Sequence, residues 1–273
     1  MRPHCCPSVR EDLPPHHPRP HRILPCLISF DGSLFNATNL AFKGVAAIAA
    51  YGYILEKFTG NETAGAEAYA TAARYASTMV DYSWHDAGAD SHFMIGYRGS
   101  KGDGGDVGSW PMLYNLLFFK LLGYTDLLPG QATLLATQRD WYAANKMQKY
   151  GLPLNSRKLY TKDDWQTFLA AAYYDDASPP APSAFSTSLI SGIYHWADDT
   201  TSRVPLSDWT NTDSPTMAGF QARPVYGAMY APLLVRAAAS MGLGNPADSS
   251  VAHANAVFRA VHAETAAAAA RLQ

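Results

Sequence analysis

Ionisable side chains that could act together fall in three stretches of the chain. The central one is Tyr150-Gly-Leu-Pro-Leu-Asn-Ser-Arg157-Lys-Leu-Tyr-Thr-Lys-Asp163-Asp164-Trp165. A guanidinium can fork a carboxylate with two parallel hydrogen bonds, so Arg157 either clamps a substrate carboxylate or pairs a neighbouring aspartate. Asp163 and Asp164 either open a helix, where carboxylates meet the positive end of its dipole, or work as catalytic acids and bases. The second stretch is Arg203-Val-Pro-Leu-Ser-Asp208-Trp209, followed by Gly219-Phe-Gln221-Ala-Arg223-Pro224. Asp208 is suited to activate water or to bind an amino group. Trp165 and Trp209 offer apolar walls. Gln221 and Arg223 precede a helix start, which favours an anion unless Arg223 only fixes its loop. The third holds Trp84-His85-Asp86 and Asp90-Ser91-His92, whose imidazoles could serve as acid and base, as ligands, or as solvated loop residues.

Glycine-rich phosphate fingerprints, a serine nucleophile elbow and a CxxC pair are all missing. Carboxylates, arginines and aromatic walls without a cofactor fit hydrolysis of an amide or of a glycoside, the second by a pair of carboxyl groups. No cofactor and no metal are expected. The early mixture of His4, Cys5, Cys6, His16, His17, His21 and Cys26 matches no zinc spacing and sits among prolines. A net charge of −2 gives no electrostatic case for nucleic acid or an anionic membrane. No apolar run reaches the roughly 18 residues that a spanning helix needs. The expected partner is therefore a small molecule.

The elements that must hold these groups are helical. Residues 1–27, rich in proline and histidine, are expected to be unstructured. Leu40, Ile48, Tyr51, Leu55 and Phe58 recur at helical spacing, and Gly60-Asn61 ends that run. Thr63 is expected to cap a second helix with Tyr69, Ala72, Ala76, Met79 and Val80 inward. A third spans about 111–122, and a fourth carries Leu134, Leu135, Trp141, Tyr142 and Met147. Thr161 is expected to cap a fifth, with Trp165, Phe168, Leu169 and Ala172 as its stripe. A sixth holds Phe185, Leu189, Ile193 and Trp196. Pro224 opens a seventh, with Val225, Met229 and Leu233 inward and a kink at Pro232. The Ala-rich residues 242–273 read as a tail with a peripheral helix. No strand pattern of useful length interrupts the series. Short connections alternate with the long polar ones at 83–110, 150–162 and 198–223, so stacked hairpins should gather the long loops at one end. That arrangement would bring Arg157, Asp164, Asp208 and Arg223 around one cavity.

Six blocks together resemble the glutaminase A family. They are Gly32-Ser-Leu-Phe-Asn-Ala-Thr-Asn39-Leu-Ala-Phe-Lys-Gly44, Gly108-Ser-Trp-Pro-Met-Leu-Tyr114-Asn115-Leu, Tyr150-Gly-Leu-Pro-Leu-Asn-Ser-Arg157, Tyr160-Thr-Lys-Asp-Asp-Trp165, Arg203-Val-Pro-Leu-Ser-Asp208-Trp, and Gly219-Phe-Gln-Ala-Arg223-Pro-Val. The resemblance implies an all-α fold, part of a six-hairpin (α/α)6 toroid over residues 28–241. It also implies an extracellular hydrolase that converts L-glutamine to L-glutamate and ammonia. A glycoside hydrolase on the same toroid, acting on a sugar, is the alternative, and a non-catalytic fragment is a third reading. Where the family shows an acidic pair before Phe, this chain has Ile28-Ser29-Phe30, and the family's upstream hairpins are missing. The chain accordingly reads as the C-terminal part of such a protein, truncated and of doubtful activity. Exposed hairpin faces, chiefly on the 39–58 helix and the last helix, should favour self-association.

Overall fold

The computed structural model describes residues 27–29, 32–34, 36–97, 106–175, 180–245 and 248–271. The leader expected at 1–27, with its histidines and cysteines, lies outside them except for Leu27, which begins strand β1 (Leu27–Ser29). This strand pairs with β2 (Gly32–Leu34). The rest is predominantly helical, as expected of a six-hairpin helical domain.

Helices α1 (Thr38–Thr59) and α2 (Glu62–Ser83) form an antiparallel hairpin. Gly60 turns the chain at φ 68, a left-handed conformation that costs glycine little. Asn61, not Thr63, caps α2: its side chain accepts from the Ala64 amide at 3.1 Å. The inward face of α2 is the expected one, with Tyr69, Ala72, Ala76, Met79 and Val80 buried. The inward face of α1 is built mostly from small residues: it buries Ala41, Phe42, Val45, Ala46, Ala49 and Gly52, while Tyr51 and Phe58 are 57% and 75% exposed. The large residues face outward because the two helices approach through small ones. A Cβ on Gly52 would stand 2.7 Å from the Tyr69 ring.

Helix α8 (Ser249–Ala270) is less peripheral than its composition suggests. Asp248 caps it, and Val251, Ala254 and Phe258 are buried against the hairpin. Phe258 meets Tyr69 and Tyr124 edge-on, with centroids at 5.8 and 5.5 Å.

The expected third helix is shorter, a 3₁₀ turn (Tyr114–Leu116) running into α3 (Leu117–Leu122), because Pro111 instead pairs with Asn155. Helix α4 covers Gln131–Asn145, α5 Asp163–Ala172 and α6 Ala184–Asp199. The seventh helix divides rather than kinks. A 3₁₀ segment (Pro224–Tyr230) precedes α7 (Ala231–Ser240), which has Pro232 in its first turn, where no amide hydrogen is needed. Leu233 points outward there and Val235 inward.

Short strands correct the purely helical reading. Strands β3 (Trp84–His85) and β4 (His92–Phe93) pair within the first long loop. An antiparallel sheet joins β5 (Tyr160–Lys162), β6 (Ser207–Asn211) and β7 (Met217–Gln221). Three to five residues are too few to display a period of two, and the polar Ser207-Asp-Trp-Thr-Asn211 imitates a loop. This sheet ties the second and third long loops together. The first joins them where Met112 N donates to Leu154 O at 2.8 Å and Ser156 N to Trp110 O at 3.0 Å.

Candidate active site

Strand β5 passes into α5 with no loop between them, so Lys162, Asp163 and Asp164 sit consecutively at a strand-to-helix corner. Lys162, not Thr161, occupies the cap position, and no side chain caps the helix. Thr161 is committed to β5, opposite Thr210. From β6, Asp208 and Thr210 reach the same corner. The Lys162 ammonium contacts the Asp208 carboxylate directly and lies 3.3 Å from Asp164 Oδ1. The Thr210 hydroxyl donates to Asp163 Oδ1 at 2.9 Å. Arg223 Nη1 stands 3.4 Å from Asp208 Oδ2.

Lys162 is only 1% exposed, and Asp163, Asp164 and Asp208 are likewise buried, whereas the Arg223 side chain is 36% exposed. Burying charge is costly unless it is compensated. Three carboxyl groups face two cations, so the cluster favours a retained proton. Asp163 is the group suited to hold it: burial pushes its carboxyl up to about 7, against the lowering effect of the Thr210 hydroxyl. Burial also raises Asp164, opposed by Lys162, and lowers Lys162, opposed by Asp164. Asp208 Oδ1 is buried and accepts no hydrogen bond from the described residues. A buried acceptor of this kind calls for an explanation, and a substrate N–H or an attacking water is one.

Aromatic rings surround the cluster. Trp165 stacks on Tyr114 with centroids 4.4 Å apart and planes 9° apart. Tyr114 is held in turn by its neighbour Asn115, whose amide donates to Asn39 O at 2.8 Å and fastens this turn to α1. The Lys162 ammonium lies 5.9 Å from the Trp165 ring and 5.8 Å from that of Phe220. The Arg223 guanidinium lies 4.4 Å from the Phe220 centroid. Phe220 and Ala222, at φ 48 and 54, are non-glycine residues in the left-handed region. They bracket the turn that delivers Arg223 to Asp208, a conformation that costs roughly 1–3 kcal/mol per residue.

Asp163, Asp164, Asp208, Arg223 and Trp165 are thus brought together, and other candidates are engaged elsewhere. Trp209 packs edge-on against Tyr160 at 5.2 Å and close to Phe220, over Gly219, where a Cβ would stand 2.6 Å from the indole. Gln221 donates its amide to Pro205 O at 2.9 Å. Arg157 is turned onto Asn155, whose Oδ1 accepts from the Arg157 backbone amide at 2.9 Å and from its Nε at 3.3 Å. It lines a cavity of about 420 Å³ with Asp106, Gly108, Ser109, Ser156 and Lys158, and none of the buried aspartates lines that cavity. His92 is buried, stacked on Trp141 at 4.0 Å, with Nδ1 2.6 Å from Asp90 O. Burial holds its pKa below the usual histidine value. His85 is a ring contact of His92 at 5.4 Å.

Lys162 is the member that sequence reasoning overlooks. A lysine beside two aspartates in a polar run reads as a solvated face. Its one available signal is position, between a strand-like Tyr160-Thr161 and the apolar stripe of α5, where a solvated loop would have to end.

The family model for the glutaminase A six helical-hairpin domain matches residues 25–233. Glutaminase A of Aspergillus oryzae (strain ATCC 42149 / RIB 40) is 31% identical over 217 residues, covering 76% of this chain and 27% of that protein. Probable glutaminase/05536 of Arthroderma benhamiae (strain ATCC MYA-4681 / CBS 112371) is 29% identical over 234 residues, covering 74% of this chain and 24% of that protein. The chain therefore spans about a quarter of the length of these curated relatives. No solved structure gives a significant match. With most of its length matched by one family model, the chain belongs to the glutaminase A family through its six helical-hairpin domain.

Proposed function

We propose that this chain supplies part of an amide-hydrolysing site that converts L-glutamine to L-glutamate and ammonia. The observation that supports the reading best is the buried Lys162–Asp163–Asp164–Asp208 cluster, with Arg223 at its exposed edge. In the proposed reaction a carboxylate takes a proton from water while the water oxygen attacks the side-chain amide carbon. Collapse of the adduct breaks the C–N bond, and a protonated carboxyl donates to the departing nitrogen. Asp208, with its unsatisfied Oδ1, suits the base, and Asp163 suits the proton reservoir, since a group titrating near the working pH is most effective. Arg223 suits the substrate α-carboxylate, and the Tyr114–Trp165 stack suits its methylenes.

The names of these relatives favour glutamine over a sugar. Kinship is also the ground for reading the protein as extracellular. Self-association draws on the exposed Tyr51, Ile54 and Phe58 of α1 and on Leu233 and Leu234 of α7.

The test is ammonia release from L-glutamine by the purified chain, with reducing-sugar release measured in parallel. Asp208→Asn should lower turnover by a factor on the order of 10² to 10⁴. Reducing sugar without ammonia would transfer the site to glycoside hydrolysis. Absence of both products would leave a non-catalytic fragment.

A further inference from the structure

We infer that Lys162 is a positioning residue, the shared counter-ion that ties Asp208 of β6 to Asp164 of α5 and fixes which carboxyl of the cluster carries the proton. The inference rests on reading this cluster as the functional site. Its basis is geometry. The Lys162 ammonium contacts Asp208 and lies 3.3 Å from Asp164 Oδ1, with its side chain almost wholly buried. A lysine need not be enclosed to end a strand. Its long stem ordinarily carries the charge out to water, and here it is turned inward instead. The charged groups facing it are Asp163 and Asp164 from α5, Asp208 from β6 and Arg223 from the segment after β7. Tyr226, from the 3₁₀ segment, is a fifth titratable neighbour of the aspartates, and its hydroxyl donates to Ser207 O at 2.6 Å.

The arrangement has a direct consequence. One ammonium serves two carboxylates on different elements, so it acts both as a tie across the strand–helix corner and as the selector of the protonation state. Arg223 cannot substitute, because it touches only the Asp208 side and opens to solvent. Without Lys162, Asp164 would lose its nearest cation and would compete with Asp163 for the retained proton.

The test uses the full chain labelled with ¹³C at aspartate side-chain carboxyls, titrated by NMR. In Lys162→Met the Asp164 midpoint should rise by at least one pH unit, about a tenfold increase in proton affinity. Lys162→Arg, which restores the charge, should return it most of the way. An unchanged Asp164 midpoint in folded Lys162→Met overturns the inference. If Lys162→Met does not fold, the double variant with Asp208→Asn decides. It should regain a cooperative urea transition, because Asp208 is no longer a buried charge without its ammonium. A double variant that also fails to fold would overturn the tie. Neither readout involves turnover, so failure to release ammonia sinks the glutaminase reading without touching this one.

Discussion

The α1/α2/α8 bundle and the β5–α5–β6 corner are both buried, but opposite physics holds them. In the bundle, Ala41, Ala46, Ala49, Ala72, Ala73, Ala76 and Ala254 let backbones approach, and Phe42, Tyr69 and Phe258 fill the remaining space. Its stability is a sum of many apolar contacts, none of them special. At the corner, Lys162, Asp163, Asp164, Asp208, Thr210 and Gln166 are enclosed, and stability depends on every charge finding its partner. The bundle should therefore respond chiefly to volume, with His262 of α8, whose pKa burial lowers, as a titrating group only at acid pH. The corner should instead respond to charge and titrate. A domain with so much apolar packing elsewhere can carry a costly polar site on top of it.

The sharpest way to break this contrast is Asp208→Ala. It removes the direct partner of the buried ammonium, leaving Asp164 at 3.3 Å to face it alone, and should cost roughly 3–5 kcal/mol, read from the urea midpoint. A loss below about 1 kcal/mol would mean that the corner is not held by charge.

Next comes pH. Asp163 has its carboxyl raised in the folded state to about 7 from an ordinary value of 3.8. The folded state thus binds the extra proton between those values. The associated stability is fully present below pH 3.8 and is lost as pH rises through about 7. The full excursion corresponds to about 4 kcal/mol at most. Thermal midpoints of the native chain and of Asp163→Asn, compared from pH 4 to 8, should converge at the low end and separate toward the high end. Parallel curves would sink the assignment.

The bundle is probed by Gly52→Val, which drives a side chain into the Tyr69 ring and the Gly65 carbonyl, 2.7 and 3.0 Å from the new Cβ. Overpacking of this kind costs about 1–3 kcal/mol, and the loss should be the same at pH 5 and pH 8. A pH-dependent loss would erase the distinction between the two regions. The smallest effect belongs to the surface pair Lys57–Asp248, 2.7 Å apart on the outside of the bundle. Lys57→Met should leave the thermal midpoint unchanged within error, since solvent screens such pairs. A clear shift would show that the bundle, too, leans on charge.

Much of the helical framework is legible in the chain itself. The Tyr69, Ala72, Ala76, Met79, Val80 stripe lies on one face of α2 and is buried as its spacing demands. Asp163 and Asp164 do open a helix, and Phe185, Leu189 and Trp196 do point inward. Helical periodicity is a local property, carried by residues three and four apart, so it survives in the sequence. On α1 the spacing alone does not say which side turns inward, because size is a poor guide where two helices meet through alanine and glycine. Tyr51 and Phe58 repeat at helical spacing, yet the partner leaves room only for the small side of the helix.

The site divides in the same way. Residue type alone nominates Asp163, Asp164, Asp208 and Arg223. Nothing local could reveal that Thr210 would bond to Asp163 across 47 residues, or that Lys162 would turn inward to meet Asp208. Those contacts exist because β6 pairs with β5 in the register that sets Thr161 against Thr210, and strand pairing is a choice between distant segments. Arg157 shows the converse. Its type and its neighbours nominate it as strongly as Arg223, but the Asn155 turn aims it into a cavity that none of the buried aspartates lines. Composition and spacing determine which chemistry is available and which segments coil into helices. Long-range pairing decides which of those groups share a buried volume, and it is burial that raises Asp163 to about 7, raises Asp164 and lowers Lys162.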